Sequence, residues 1–201
     1  MKLFFAPGAC SLSPHIALRE AGLPFDLEQV DLKSKQTKSG ADYRTINPKG
    51  AVPALQLDNG QVLTEGAAIV QYIGDQKPAS KLTPPAGSFE RYRLQEWLNY
   101  IASEVHKQFS PLFNPNSPEE RKQEAKTNLG NRFDFVAKSL DGKQYLMGDT
   151  FTAADCYLFT MLGWAKHTGI DLGRWPSLKS YAERVGARPA ASAALKAEGL
   201  A

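Results

Sequence analysis

Between Lys77 and Ser88 the string KPASKLTPPAGS separates two stretches whose patterning belongs to different architectures. Pro78, Pro84 and Pro85 interrupt any regular element, so residues 77–88 read as a linker. Before the linker, short apolar strands alternate with helical spacing. After it, helical spacing continues to the last residues. One layer arrangement cannot serve both patterns. The expected organisation is an α/β domain over residues 1–76, the linker, and an all-α domain over residues 89–201.

In the first stretch, Leu3 to Phe5 is a short buried strand, and Ser13 to Ala21 has helical spacing stopped by Gly22. FDLEQVDL alternates apolar and polar residues from Phe25 to Leu32, a second strand. Strand, helix and strand in that order make a βαβ unit with a parallel pair. VPALQLDNGQVLTEG places two further strands around Asp58-Asn59-Gly60, a hairpin signal. GAAIVQYIGDQ then reads as a helix. In the second stretch, helices are expected over Phe89 to Phe113, Glu119 to Leu140, from Phe151 onward, Leu178 to Arg188 and Ala190 to Ala197.

Several classes of function are disfavoured. The net charge is +3 with no block of like charge, which argues against a nucleic-acid footprint but suits a small anion. Two cysteines cannot form a disulfide framework, and a reducing compartment fits them better. No apolar run approaches the ~20 residues of a membrane span, and Leu3 to Ala6 is too short for a signal-peptide core. A soluble, cytoplasmic protein is expected. The three histidines show no metal-ligand spacing, so no metal is expected. Phosphate-binding glycine motifs and a G-x-S-x-G elbow are absent from the sequence.

Two short strings carry chemistry. Cys10 stands in the turn between the first strand and the first helix, within C-S-L-S. A thiol there meets unpaired N–H groups and the positive end of the helix dipole, which favour thiolate. A small turn residue would fit equally well on that motif alone. Val52-Pro53 immediately precedes a strand, so Pro53 opens it. A cis bond there would turn the Val52 N–H and C=O outward, ready to pair with an extended peptide. With the βαβ–ββα order and the C-x-x-S, the cis form is expected.

The helix RLQEWLNYIASEVHKQF carries a core stripe of Leu94, Leu98, Ile101, Val105 and Phe109. Asn99, Ser103 and His106 repeat on another face, and that composition suits a cleft or subunit interface. Thr152 and Asp155 form a capping box that serves folding. Cys156 reads as a buried small hydrophobe, and His15 and His167 as structural or exposed.

PGACS, NPKGAVPAL, LTEGAAI, EWLNYIASEVHKQFSPLF and FTAADCYLF, in this order and spacing, resemble the bacterial beta-class glutathione transferases over essentially the whole chain. The resemblance implies a thioredoxin-like N-terminal domain, an all-helical C-terminal domain and a homodimer. It implies glutathione as co-substrate, bound by the first domain, and an apolar electrophile against the second. Glutathione would lie along Val52 and Pro53. Glu65 and the N–H groups at Gly66 would receive the γ-glutamyl ammonium and carboxylate, and Lys35 the glycyl carboxylate. The sulfur would lie near Cys10, with His106 donating to it. Asn99, Ser103 and Glu104 would reach the partner subunit's site. Phe109, Phe113 and Trp164 would wall the apolar substrate.

Relatives that use a Tyr hydroxyl keep it near the end of the first strand. This chain has Phe4 and Phe5 there, so Cys10 is a better candidate than Ser11. A second enzymatic reading makes Cys10 itself the nucleophile, in thiol transfer or reductive dehalogenation. A non-enzymatic reading is a ligand carrier or interaction module on the same fold. The physiological electrophile is not legible.

Overall fold

A computed structural model describes all 201 residues. The chain forms two compact units. The first comprises Met1–Thr83 together with Arg188–Ala201, and the second Pro84–Ala187. The linker is thus divided between them, and the C-terminal segment, read as part of the helical domain, returns to the first unit. A helix with one apolar stripe goes where that stripe is covered, and sequence order does not decide it.

The first unit opens with β1 (Lys2–Phe5), α1 (Leu12–Ala21) and β2 (Asp26–Asp31). β3 (Gln36–Thr37), β4 (Ala54–Gln56), β5 (Val62–Thr64) and α2 (Gly66–Gln76) follow. The sheet order is β3-β2-β1-β4-β5. β1 pairs with β2 in parallel, as the βαβ reading requires, and antiparallel to β4, which forms the expected hairpin with β5. β1 is central, which explains its unbroken apolar run: Leu3, Phe4 and Phe5 are all buried. β3 has no strand signal in the sequence, because two residues in a polar stretch show no alternation.

The second unit contains α3 (Phe89–Tyr100), a π-helical turn at Ile101–Val105, a 3₁₀ turn at His106–Phe109, and α4 (Ser110–Phe113). α5 (Glu119–Ser139), α6 (Ala153–His167) and α7 (Pro176–Gly186) complete it. α8 (Pro189–Ala197) belongs to the first unit, where it packs on α1. The stretch from Phe89 to Phe113 stays helical but is not one α-helix. Pro111 has no N–H for the Lys107 carbonyl, and the Ser110 N–H bonds that carbonyl instead, as a 3₁₀ turn requires. The expected core stripe survives the change: Leu94, Leu98, Ile101, Val105 and Phe109 are all buried.

The capping box at the start of α6 forms as expected, with Thr152 and Asp155 bonding reciprocally. Asp155 is buried and accepts from the Leu146 N–H, the Thr152 N–H and hydroxyl, and the Tyr181 hydroxyl, at 2.8–2.9 Å. No helix is long and apolar enough to cross a membrane. No three His, Cys, Asp or Glu side chains gather as a metal site.

Candidate active site

The turn from Ala6 to Cys10 is held by its neighbours. Ala9 N–H bonds the Ala6 carbonyl at 3.0 Å, and the buried Ser11 hydroxyl bridges the Ala6 N–H and C=O at 3.2 Å each. Ser11 is thereby committed to the turn and offers no donor to a substrate. Gly8 has φ +70°, a conformation suited to glycine, and its N–H donates to Glu198 at 2.9 Å.

Cys10 is partly exposed, whereas Cys156 is buried inside α6. The Cys10 thiol donates to the Val52 carbonyl at 3.2 Å. The N–H groups of Leu12 and Ser13, expected to meet the sulfur unpaired, bond the carbonyls of Ala9 and Cys10 instead.

The segment before β4 converges on the same place. The Val52–Pro53 bond is cis, as expected. Lys35, itself at φ +59°, donates from Nζ to the Gly50 carbonyl at 2.8 Å. The Ala51 carbonyl accepts two side-chain donors, the Tyr43 hydroxyl at 2.9 Å and Asn47 Nδ2 at 2.7 Å.

Glu65 caps α2 with φ +69°, unusual for a residue with a side chain, and Gly66 lies beside the Pro53 ring. The Glu65 carboxylate is 73% exposed and already holds an ammonium, that of Lys49, which also donates to the Thr64 hydroxyl at 2.7 Å. The first unit therefore brings together Cys10, Lys35, Val52, Pro53, Glu65 and Gly66. Lys49, Tyr43 and Asn47 join them without having been singled out in the sequence. For Asn47 the NPKG string was a signal, because a side chain two residues before Lys49 can stabilise the turn.

The second unit holds the other candidates. His106 Nδ1 meets the Tyr157 hydroxyl at 2.7 Å, and its ring stands edge-on to Trp164 at 4.9 Å. Tyr157 was overlooked, although it lies two helical turns from Trp164 on one face of α6. Phe109, Phe113 and Trp164 form one cluster, with centroids 5.1–6.2 Å apart. Their exposure differs: Phe109 is fully buried, while Phe113 is 49% exposed.

Asn99 and Ser103 are exposed, with the Ser103 hydroxyl bonded back to the Asn99 carbonyl at 3.0 Å. Glu104 pairs with Arg132 on α5 through two nitrogens at 2.8 and 3.0 Å. His15, read as structural or exposed, is fully buried beside Glu198.

Known proteins resemble the chain throughout. The glutathione S-transferase N-terminal domain model matches residues 8–76 and the C-terminal domain model residues 100–189. Glutathione S-transferase GstA of Escherichia coli O157:H7 is 48% identical over 200 residues, covering all of both chains. The solved ternary complex of BphK, a bacterial GST, is 59% identical with a TM-score of 0.98, again over both full chains. A sphingomonad glutathione S-transferase solved with glutathione is 51% identical with a TM-score of 0.97 over both full chains.

Proposed function

The chain belongs to the glutathione S-transferase family, and from that premise we propose that it is a cytoplasmic, beta-class homodimer joining glutathione to apolar electrophiles. It is a glutathione transferase with glutathione as co-substrate. The observation that supports the site reading is the Cys10 thiol on the Val52 carbonyl, with Lys35 and Glu65 in the same unit.

An extended γ-Glu-Cys-Gly has charged groups at both ends and a peptide between. Glu65 and the Gly66 N–H suit the γ-glutamyl end, Val52 the cysteinyl backbone, and Lys35 the glycyl carboxylate. In the free protein Lys35 donates to Gly50 and Lys49 occupies Glu65, so binding exchanges these internal partners for the ligand's charges.

The sulfur then lies beside Cys10. His106, oriented by Tyr157, is the donor that stabilises the glutathione thiolate. That thiolate attacks an electrophilic carbon. The S–C bond forms as a halide leaves, or the thiolate adds across an activated double bond. Phe113 and Trp164 offer the apolar surface for the electrophile. Asn99, Ser103 and Glu104 reach the partner's site.

Thiol–disulfide exchange or reductive dehalogenation at Cys10 is the second reading, favoured by the partial exposure of that thiol. The test is retention on immobilised glutathione combined with turnover of a chlorinated nitrobenzene. Retention with turnover supports conjugation. Retention with disulfide exchange alone supports the second reading, and failure of retention removes both. Sedimentation of an active monomer would remove the shared site.

A further inference from the structure

We propose that Tyr43 and Asn47 are positioning residues that aim the Val52 N–H at the cysteinyl carbonyl of bound glutathione. This rests on the glutathione reading above and goes beyond it, because neither side chain is expected to touch the ligand.

The geometry begins with one peptide plane. The Ala51 C=O and the Val52 N–H belong to the same planar amide and, in a trans bond, point in opposite directions. The cis bond of this chain is the next one, so the 51–52 bond is trans. Whatever fixes the Ala51 carbonyl therefore fixes the Val52 N–H. Two donors fix it: the Tyr43 hydroxyl at 2.9 Å and Asn47 Nδ2 at 2.7 Å. Both donor residues are buried, Tyr43 fully, while Ala51 itself is exposed, so the two side chains hold its carbonyl from the protein side.

The two donors are themselves held. Tyr43 packs its ring against Phe4 of β1, with centroids 5.6 Å apart. The Asn47 N–H donates to the Tyr43 carbonyl at 2.9 Å, and Asn47 Oδ1 accepts the Lys49 N–H at 3.2 Å. Burial keeps the Tyr43 phenol protonated by pushing it above its ordinary range, so it remains a donor.

On the other side of the plane, the Val52 N–H has no acceptor within the protein. The β4 ladder starts only at Ala54. A backbone donor left unpaired and rigidly aimed is costly unless something docks on it. An extended peptide supplies the missing acceptor, and the aim of the N–H sets how deeply that peptide's sulfur sits beside Cys10.

The test uses Tyr43→Phe, which keeps the ring and deletes one hydroxyl, and Asn47→Ala, which deletes the second donor. Calorimetric titration compares glutathione with an analogue in which an E-alkene replaces the cysteinyl–glycyl peptide bond. Each variant should bind glutathione about fivefold more weakly, the size of one modest hydrogen bond, and bind the alkene analogue as the wild type does. The Val52 amide proton should move downfield on glutathione binding in the wild type and move less in both variants. Unchanged glutathione affinity in natively folded variants, or equal losses on both ligands, overturns the proposal. Should one variant lose its native circular dichroism, the other decides alone. A wild-type protein that binds neither ligand overturns the glutathione reading itself.

Discussion

His15 donates to Glu198 and accepts from Arg19, and the donor and acceptor roles of its two ring nitrogens follow from those contacts. Arg19 Nε can only donate, and it lies 2.9 Å from His15 Nε2. That nitrogen must be an acceptor, so Nδ1 carries the ring's proton and donates to Glu198 Oε1 at 2.7 Å. The other oxygen of Glu198 accepts the Gly8 N–H in the turn that bears Cys10. A residue near the end of the chain thus ties down the turn near its beginning.

Glu198→Ala should leave the buried His15 ring N–H without its acceptor and take from the part-buried Gly8 N–H its bond to the carboxylate. The expected loss of stability is about 2–4 kcal/mol. The Cys10 turn should also loosen, so the rate of Cys10 alkylation should change while Cys156 stays protected. Denaturant unfolding and thiol labelling of the variant measure both. A variant as stable as the wild type would show that water replaces the carboxylate at no cost.

Asp155→Ala should be more damaging, because one buried carboxylate serves four donors. A loss of about 3 kcal/mol or more is expected, read from urea unfolding. Tyr181→Phe adds a pH signature. Burial first, and then the neighbouring Asp155, push the Tyr181 phenol well above its ordinary value near 10. The folded protein therefore holds this proton after the unfolded chain has released it. The contribution to stability is intact below about pH 10 and declines as pH rises beyond it. The phenylalanine variant should be less stable at neutral pH but should lose less stability between pH 10 and 11.

Oxidised glutathione should form a one-to-one adduct at Cys10 and none at Cys156, which has no exposed surface. Cys10→Ser should abolish the adduct and all disulfide exchange but only partly reduce conjugation, since His106 remains. Mass spectrometry and steady-state rates check this. Conjugation that vanishes completely in Cys10→Ser would move the nucleophile's role to the protein thiol.

Lys49→Met should tighten glutathione binding by up to about threefold. The Lys49 ammonium rests on the Glu65 carboxylate, where the ligand's ammonium is proposed to go. The pair is exposed and worth well under 1 kcal/mol, so the gain is small and should disappear at high salt. A higher KM in the variant would instead make Lys49 a direct contact for the ligand.

Much of this was legible in the sequence because it is local. The strand pattern of LFF, the hairpin around Asp58-Asn59-Gly60, the core stripe from Leu94 to Phe109 and the Thr152–Asp155 box are each decided within a few residues. The partners that complete the site were not legible. Glu198 reaches His15 across 183 residues, and Tyr157 reaches His106 across 51. No periodicity encodes such pairs. Lys49 carries no sequence signal of its own, and in the structure it is half-exposed and ion-paired with Glu65. The π turn at Ile101–Val105 was not legible, because its apolar spacing fits either helix type.

The return of α8 to the first unit has a consequence for the chain as it is made. On the ribosome, residues 84–187 emerge before the segment from Arg188 onward. The helical unit can therefore assemble while α1 still lacks its partner helix. Until then Gly8 and His15 lack Glu198, and Glu20 lacks its two bonds from Arg188 at 2.6 and 2.9 Å. The Cys10 turn consequently gains this anchor only after the helical unit has been made. A nascent chain stopped before Arg188 would carry Cys10 in a turn without the Glu198 anchor, and the anchor arrives only once α8 and Glu198 have been made.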